Sequence, residues 1–257
     1  MIKIGIIGGS GLDNPDLLKN PAEVNLATPY GPPSSPLTCG EIGGVEVAIL
    51  ARHGRGHTIP PSRVNYRANI RALKDHGCTH ILAATAVGSL RREIAPGHLV
   101  FPGQFIDHTR LRATSFFDGE QVVHTPMAEP FCPNLRHLLA ATAGELGIDH
   151  HLDKTVITIE GPRFSTRAES HMFRSWQADV INMSTVPEVN LAREAGLHYA
   201  TTAMSTDYDC WHEEDEPVTF EMILATMKAN ADKVVRLFVA AIPKVENYND
   251  ICPGLPG

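Results

Sequence analysis

Thr206-Asp207-Tyr208-Asp209-Cys210-Trp211 is the most pointed segment in the chain. It sets two carboxylates two residues apart, and on extended backbone that spacing sends both side chains to one face. Like charges held close raise the pKa of one, so one acid stays protonated near neutrality while its partner stays ionised. A donor beside an acceptor matches the N7 and 6-amino edge of adenine. An exposed acidic turn solvated by water has the same sequence. Arg52-His53 is the second candidate: the arginine fork fits phosphate oxygens, and the histidine is expected to add another donor. Thr85-Ala86 supplies a hydroxyl and an N–H at a comparable place. A surface arginine, a capping histidine and a turn threonine account for each residue singly; their shared place after strands is what joins them.

Other motifs exclude chemistry. Gly8-Gly9-Ser10-Gly11 can aim backbone N–H groups at an anion, or serve only as a tight turn. A dinucleotide fingerprint beginning at Gly9 fails at Asn14, there is no Gly-Lys dipeptide for a Walker loop, and a nucleophile elbow centred on Ser10 fails at Leu12. His53-Gly-Arg-Gly-His57 has two histidines four apart, but the glycines and Pro60-Pro61 break the helix a metal pair needs, so no metal site is expected.

The elements that must carry these residues are legible as apolar runs. Ile2–Ile7, Val45–Ala51, His80–Thr85, His98–Ile106, Thr155–Ile159, Val180–Met183 and His198–Met204 read as buried strands. Helical patterns run from Ser62 to Gly77, from Pro133 to Gly147 and from Pro187 to Gly196. The last and longest carries the stripe Phe220, Ile223, Leu224, Met227, Ala231, Val234, Val235 and Phe238. Strands alternating with helices predict an α/β fold with a mixed, mostly parallel sheet flanked by helices. Arg52-His53 and Thr206–Asp209 then both project from strand carboxyl ends, where ligands gather in such sheets.

At 257 residues the chain suits one large domain, and its 43% hydrophobic and 20% charged residues supply a full core. Lys+Arg 22 against Asp+Glu 29 gives −7, the reverse of a nucleic-acid binder. No apolar stretch approaches the roughly 20 residues of a membrane span, and the start does not read as a signal peptide. Five cysteines, an odd number with no CxxC pair, predict reduced thiols in a cytoplasmic protein, with Cys78 and Cys132 packing as small hydrophobes. The segment after Pro243 lacks periodicity and reads as a loosely held tail.

Ile-Ile-Gly-Gly-Ser-Gly-Leu near the start, Ala51-Arg-His-Gly-Arg, Glu160-Gly-Pro-Arg-Phe-Ser-Thr-Arg-Ala-Glu, Asn182-Met-Ser-Thr-Val-Pro-Glu and Thr206-Asp-Tyr-Asp-Cys-Trp together resemble the methylthioadenosine phosphorylases, in the trimeric branch of the purine nucleoside phosphorylase family. Asn65-Tyr66, His124 and Pro126-Met-Ala-Glu-Pro-Phe-Cys-Pro extend the resemblance, which runs from about residue 4 to about 243. It implies the nucleoside phosphorylase fold over residues 1–243, a short tail at 244–257, and reversible phosphorolysis of 5′-methylthioadenosine to adenine and 5-methylthioribose 1-phosphate.

The resemblance also implies roles. Phosphate sits among Ser10, Arg52, His53, Thr85, Ala86 and Ser184. Met183 lies against the ribose and Phe164 near the base, with Tyr208 also on the substrate side. Asp207 and Asp209 grip N7 and the 6-amino group and, with Arg52 and His53, carry the catalysis. Ser165 takes the place of a glutamate in relatives that use 6-oxopurines. Phe220, Ile223 and Leu224, with His57 and His124 of a neighbouring subunit, form the 5′ pocket. A homotrimer without metal or organic cofactor is implied, with phosphate as co-substrate. Ser10 and Ser184 stand where threonine is common, and Phe220 is bulkier than the usual aliphatic residue. A 6-oxopurine phosphorylase, a nucleosidase using water, and a purine-binding relative without turnover are the competing readings.

Overall fold

The computed structural model describes residues 2–8, 17–119, 121–212 and 220–245, the side chains of 220–225 excepted. Its centre is a bundle of parallel strands. β1 (Lys3–Gly8) lies between β4 (Val45–Ala51) and β5 (His80–Ser89), parallel to both. These strands are apolar almost throughout because both faces are covered. Ile4, Ile6, Val47, Ile49, Leu82 and Ala84 face one core, while Ile7, Ala48, Leu50, Ile81 and Ala83 face a second. The alternation of strand side chains therefore divides one apolar run between two cores. Helices α2 (Pro133–Glu145) and α5 (Phe220–Val245) close the first; α1 (Tyr66–Asp75) and α4 (Thr185–Glu194) close the second.

Beyond β5 the sheet closes on itself. β5 pairs with β8 (Val180–Asn182), β8 with β7 (His150–Ile159), β7 with β6 (Leu99–His108), β6 with β9 (His198–Tyr208), and β9 returns to β5. Five of the nine described pairings are parallel and four antiparallel, so the sheet is mixed, as expected, with parallel pairs in the majority. The ring was not anticipated. Its closing pair, β5–β9, runs the full length of β5 with a bulge at Val87/Gly88.

Several boundaries differ from the sequence reading. The helix expected from Ser62 splits into a 3-10 turn at Pro61–Arg63 and α1, because Asn65 caps α1 by accepting from the Ala68 N–H. α4 begins at Thr185, two residues early, with Val186 non-helical ahead of Pro187. β5 and β9 each run four residues past the apolar stretch, to Ser89 and Tyr208, because their mutual pairing continues past the bulge at Val87/Gly88. Two strands, β2 (Lys19–Val24) and β3 (Leu37–Ile42), and helix α3 (Arg167–Ser175) were not read as elements. β2 is exposed and polar, and α3 is announced only by a capping box between Thr166 and Glu169. α5 runs on through Pro243 to Val245; the rest of the expected tail lies outside the described residues.

Cys39, Cys78 and Cys210 are free thiols. Cys132 is buried as expected but disulfide-bonded, a correction to its reading as a plain thiol.

At the amino ends of β5 and β9, His80 and His198 stack with ring centroids 4.4 Å apart. Thr79 Oγ1 lies 2.8 Å from His80 Nδ1. Burial, reinforced by His198, pushes the His80 pKa down to about 4. The unfolded chain takes up that proton near the ordinary 6.5, so stability falls as pH drops from about 6.5 towards 4. The gap corresponds to roughly 3 kcal/mol at most. Denaturant titrations at neutral and acid pH are expected to show this loss, and His80→Asn to lose clearly less; equal acid sensitivity in the two proteins contradicts the assignment.

Candidate active site

The carboxyl ends of β4, β5, β8 and β9 converge on one cavity of about 260 Å³. Arg52 and His53 enter it after β4, Thr85, Ala86 and Gly88 from β5, Met183 and Ser184 after β8, and Asp207 and Asp209 at the end of β9. Thr85 and Gly88 both line it from β5. Three residues of extended backbone separate them by roughly 10 Å, the span of a nucleoside-sized ligand.

At the Thr85 end, Arg52 is 2% exposed, and its Nε and Nη2 both donate to the Glu188 carboxylate at 2.8 Å. Nη1 donates to the Ala84 carbonyl at 2.8 Å. Glu188 also accepts from the Tyr199 hydroxyl at 2.7 Å, and Tyr199 from Thr201 at 3.0 Å. Burial works against the charge on Arg52, but Glu188 outweighs it and holds the guanidinium above its ordinary value. A guanidinium has five N–H donors. Three are used, so one remains on each Nη, and the anion-binding edge is that end rather than the whole fork. Glu188 was not singled out from sequence. Its signal is a carboxylate inside the mostly apolar run Val186-Pro-Glu-Val-Asn-Leu-Ala.

His53 departs from expectation. Its Nδ1 lies 2.9 Å from the Ile59 carbonyl, which can only accept, so Nδ1 carries the hydrogen. Burial, then the Arg52 charge, push its pKa down to about 4. At neutral pH the ring is uncharged, and its other nitrogen, Nε2, is an acceptor. The expected second donor is therefore an acceptor. The rings of His53 and His57 lie 4.5 Å apart, and His57 also lines the cavity.

A buried hydroxyl set completes this end. Thr85 Oγ1 and Ser184 Oγ lie 2.8 Å apart. Thr158 donates to Asn182 Oδ1 at 2.8 Å, fixing the amide, whose nitrogen donates to Thr185 Oγ1 at 2.6 Å and to Thr85 Oγ1 at 3.5 Å. Thr85 Oγ1 also donates to the Ala86 carbonyl at 3.2 Å.

At the other end, a Cβ on Gly88 would stand 3.4 Å from Asp207 Oδ2 and 3.5 Å from Asp209 Cβ, so both acids flank one glycine, as their spacing predicts. Asp207 Oδ1 is 2.6 Å from Thr206 Oγ1, itself 3.2 Å from the Val87 carbonyl. Burial raises the Asp207 pKa, the Asp209 charge adds to this, and the Thr206 contact opposes it. The Ser165 hydroxyl donates to Asp209 Oδ1 at 3.0 Å and Oδ2 at 2.8 Å. The Asp209 N–H and the Trp211 indole both donate to the Ser89 carbonyl, and Arg174 lies 3.5 Å over the Trp211 ring. Tyr208, between the acids, does not line the cavity. Strand alternation turns it away, its ring stacks on His212 at 4.7 Å, and its hydroxyl donates to the Arg92 carbonyl.

Met183, Phe164 and Ser165 line the cavity between these ends. Gly161, at φ +68, would place a Cβ 2.5 Å from Met183 Sδ, so only glycine leaves Met183 where it is. His124 is exposed and lies away from the lining. Ser10, and the side chains of Phe220, Ile223 and Leu224, lie outside the described residues. Farther along the same helix, Met227 and Ala231 of the apolar stripe reach the cavity. Among the described residues, no group of three or more His, Cys, Asp or Glu side chains is disposed to hold a metal ion.

The sequence profile described as "Phosphorylase superfamily" matches residues 3–243. A protein of Danio rerio named S-methyl-5′-thioadenosine phosphorylase is 56% identical over 249 residues, covering 95% of this chain and 89% of the relative. One of that name from Thermofilum pendens is 53% identical over 244 residues, covering 95% and 92%. Methylthioadenosine phosphorylase from Schistosoma mansoni, solved with adenine, superposes with a TM-score of 0.92 at 42% identity, covering 97% of this chain and 93% of that one.

Proposed function

This chain belongs to the phosphorylase superfamily, and from that premise we propose that it catalyses the reversible phosphorolysis of 5′-methylthioadenosine, giving adenine and 5-methylthioribose 1-phosphate. Relatives carrying that name across nearly the whole chain support this reading, as does a Schistosoma mansoni variant solved with methylthioadenosine. The observation that carries it is that one cavity is lined both by Arg52, Thr85 and Ser184 and by the paired acids Asp207 and Asp209.

The chemical problem is to break a C–N bond whose leaving group is a poor one. Positive charge develops on the sugar and negative charge on the purine. Phosphate, held by Ser10, Arg52, His53, Thr85, Ala86 and Ser184, sits beneath the sugar, stabilises its oxocarbenium character and attacks the anomeric carbon. Met183 lies against the ribose and Phe164 against the base. Asp207, protonated, donates to N7 as the purine leaves. Asp209, held by Ser165, accepts from the 6-amino group. His57, with Phe220, Ile223 and Leu224, encloses the methylthio group.

In this reading residues 1–243 are the catalytic domain and 244–257 a tail. The enzyme is a cytoplasmic homotrimer, with His124 serving a neighbour's site, and phosphate is its co-substrate, with no metal or organic cofactor. The family resemblance supports these points. Adenine release from methylthioadenosine, followed by absorbance, is expected to saturate with phosphate and to stop when phosphate is removed. Equal release without phosphate would make the enzyme a nucleosidase instead.

A further inference from the structure

The loop after β4 folds tightly back on itself. Gly54 and Gly56 adopt φ +72 and +76, and His57 φ +58. The Ile59 N–H thereby donates to the His53 carbonyl at 2.9 Å, and the Ile59 carbonyl receives the ring Nδ1–H at 2.9 Å. Ile59 thus holds His53 at two points, which fixes both the ring and its tautomer. This gives a purpose to His53-Gly-Arg-Gly-His57, whose spacing suits no metal. The heteroatom His53 has left for a ligand is a lone pair on Nε2.

We propose that His53 reads the protonation of the bound tetrahedral anion, its Nε2 accepting a hydrogen bond from an anion hydroxyl, so that the site prefers hydrogen phosphate to unprotonated dianions such as sulfate. The inference rests on the reading that this end of the cavity takes phosphate. Among the described residues Arg52 brings donors there, one hydrogen on each Nη, beside the hydroxyls of Thr85 and Ser184, which are bonded to each other at 2.8 Å. They suit the bare oxygens of the anion. Only an O–H suits Nε2, and hydrogen phosphate carries one throughout the neutral range. Sulfate offers a lone pair to a lone pair. Protonating the ring to relieve this is opposed by burial and by the Arg52 charge beside it. An acceptor left facing another acceptor in a buried site weakens binding by about ten- to hundredfold.

The test is calorimetric titration of the whole enzyme at neutral pH with phosphate, arsenate, sulfate and monofluorophosphate. The first two carry a hydroxyl proton; the last two do not, and monofluorophosphate keeps the phosphorus centre. Phosphate and arsenate are expected to bind about ten- to hundredfold more tightly than sulfate and monofluorophosphate. His53→Gln, whose amide presents N–H hydrogens, is expected to close the gap by gaining affinity for the unprotonated pair. Equal affinity of the wild-type enzyme for phosphate and monofluorophosphate overturns the proposal, as does an undiminished gap in a folded His53→Gln. The wild-type comparison decides if the variant does not fold. Phosphate-dependent adenine release is a separate measurement: its absence sinks the underlying reading, whereas its presence with equal anion affinities sinks only the role of His53.

Discussion

Asp207→Ala is expected to lower kcat for methylthioadenosine by about 10²–10⁴, the usual contribution of a positioned general acid. The argument rests on place and protonation together. Asp207 lies on the cavity wall beside Gly88, and burial and the neighbouring Asp209 raise its pKa. A group that must be protonated to act loses activity as pH rises through its folded pKa, so a raised value carries activity to higher pH. Asp207→Asn keeps a hydrogen-bond donor but has no proton to release. It is expected to leave KM within a few-fold, lower kcat, and abolish the high-pH limb that Asp207 imposes on the profile. Wild-type kcat in Asp207→Ala would refute the assignment.

What the sequence made legible about this site follows from what local pattern encodes. Arg52-His53 and Asp207–Asp209 sit at abrupt ends of apolar runs, and such ends are visible without a fold. The two acids share a face because a period of two needs no tertiary information. The same pattern should have turned Tyr208 away from the ligand, and the structure does so. The rest depends on contacts between distant segments. Glu188 lies 136 residues from the arginine it grips, and nothing near Arg52 announces it. The donor-or-acceptor character of His53 is set by one backbone carbonyl six residues on, through a loop whose positive φ angles no hydrophobic pattern encodes. The closing β5–β9 pair escaped notice because apolar patterning ends at Thr85 and Met204. Beyond Met204 strand β9 turns polar with Ser205, Thr206 and Asp207, and β5 meets Gly88 and the bulge at Val87/Gly88, so neither keeps the periodicity that reveals a strand.

Base selection is the sharpest consequence of the structure. Ser165 gives its single hydroxyl proton to the two oxygens of Asp209, at 3.0 and 2.8 Å, so the carboxylate is held in place as an acceptor. A 6-amino purine meets it with a donor. A 6-oxo purine opposes acceptor to acceptor at a buried carboxylate, and sites built to bond an N–H reject such analogues by about 10⁴ or more. A side-by-side comparison of kcat/KM for methylthioadenosine and methylthioinosine is therefore expected to favour the first by about that factor. Asp209→Asn, whose amide can turn its N–H towards a 6-oxo group, is expected to shrink the ratio from both sides. Ser165→Ala removes one orienting bond and is expected to cost only about 1 kcal/mol, because the acceptor itself remains. Equal kcat/KM for the two nucleosides would mean that Asp209 does not face the 6 position, and would favour the 6-oxopurine phosphorylase that Ser165 and the paired acids argue against.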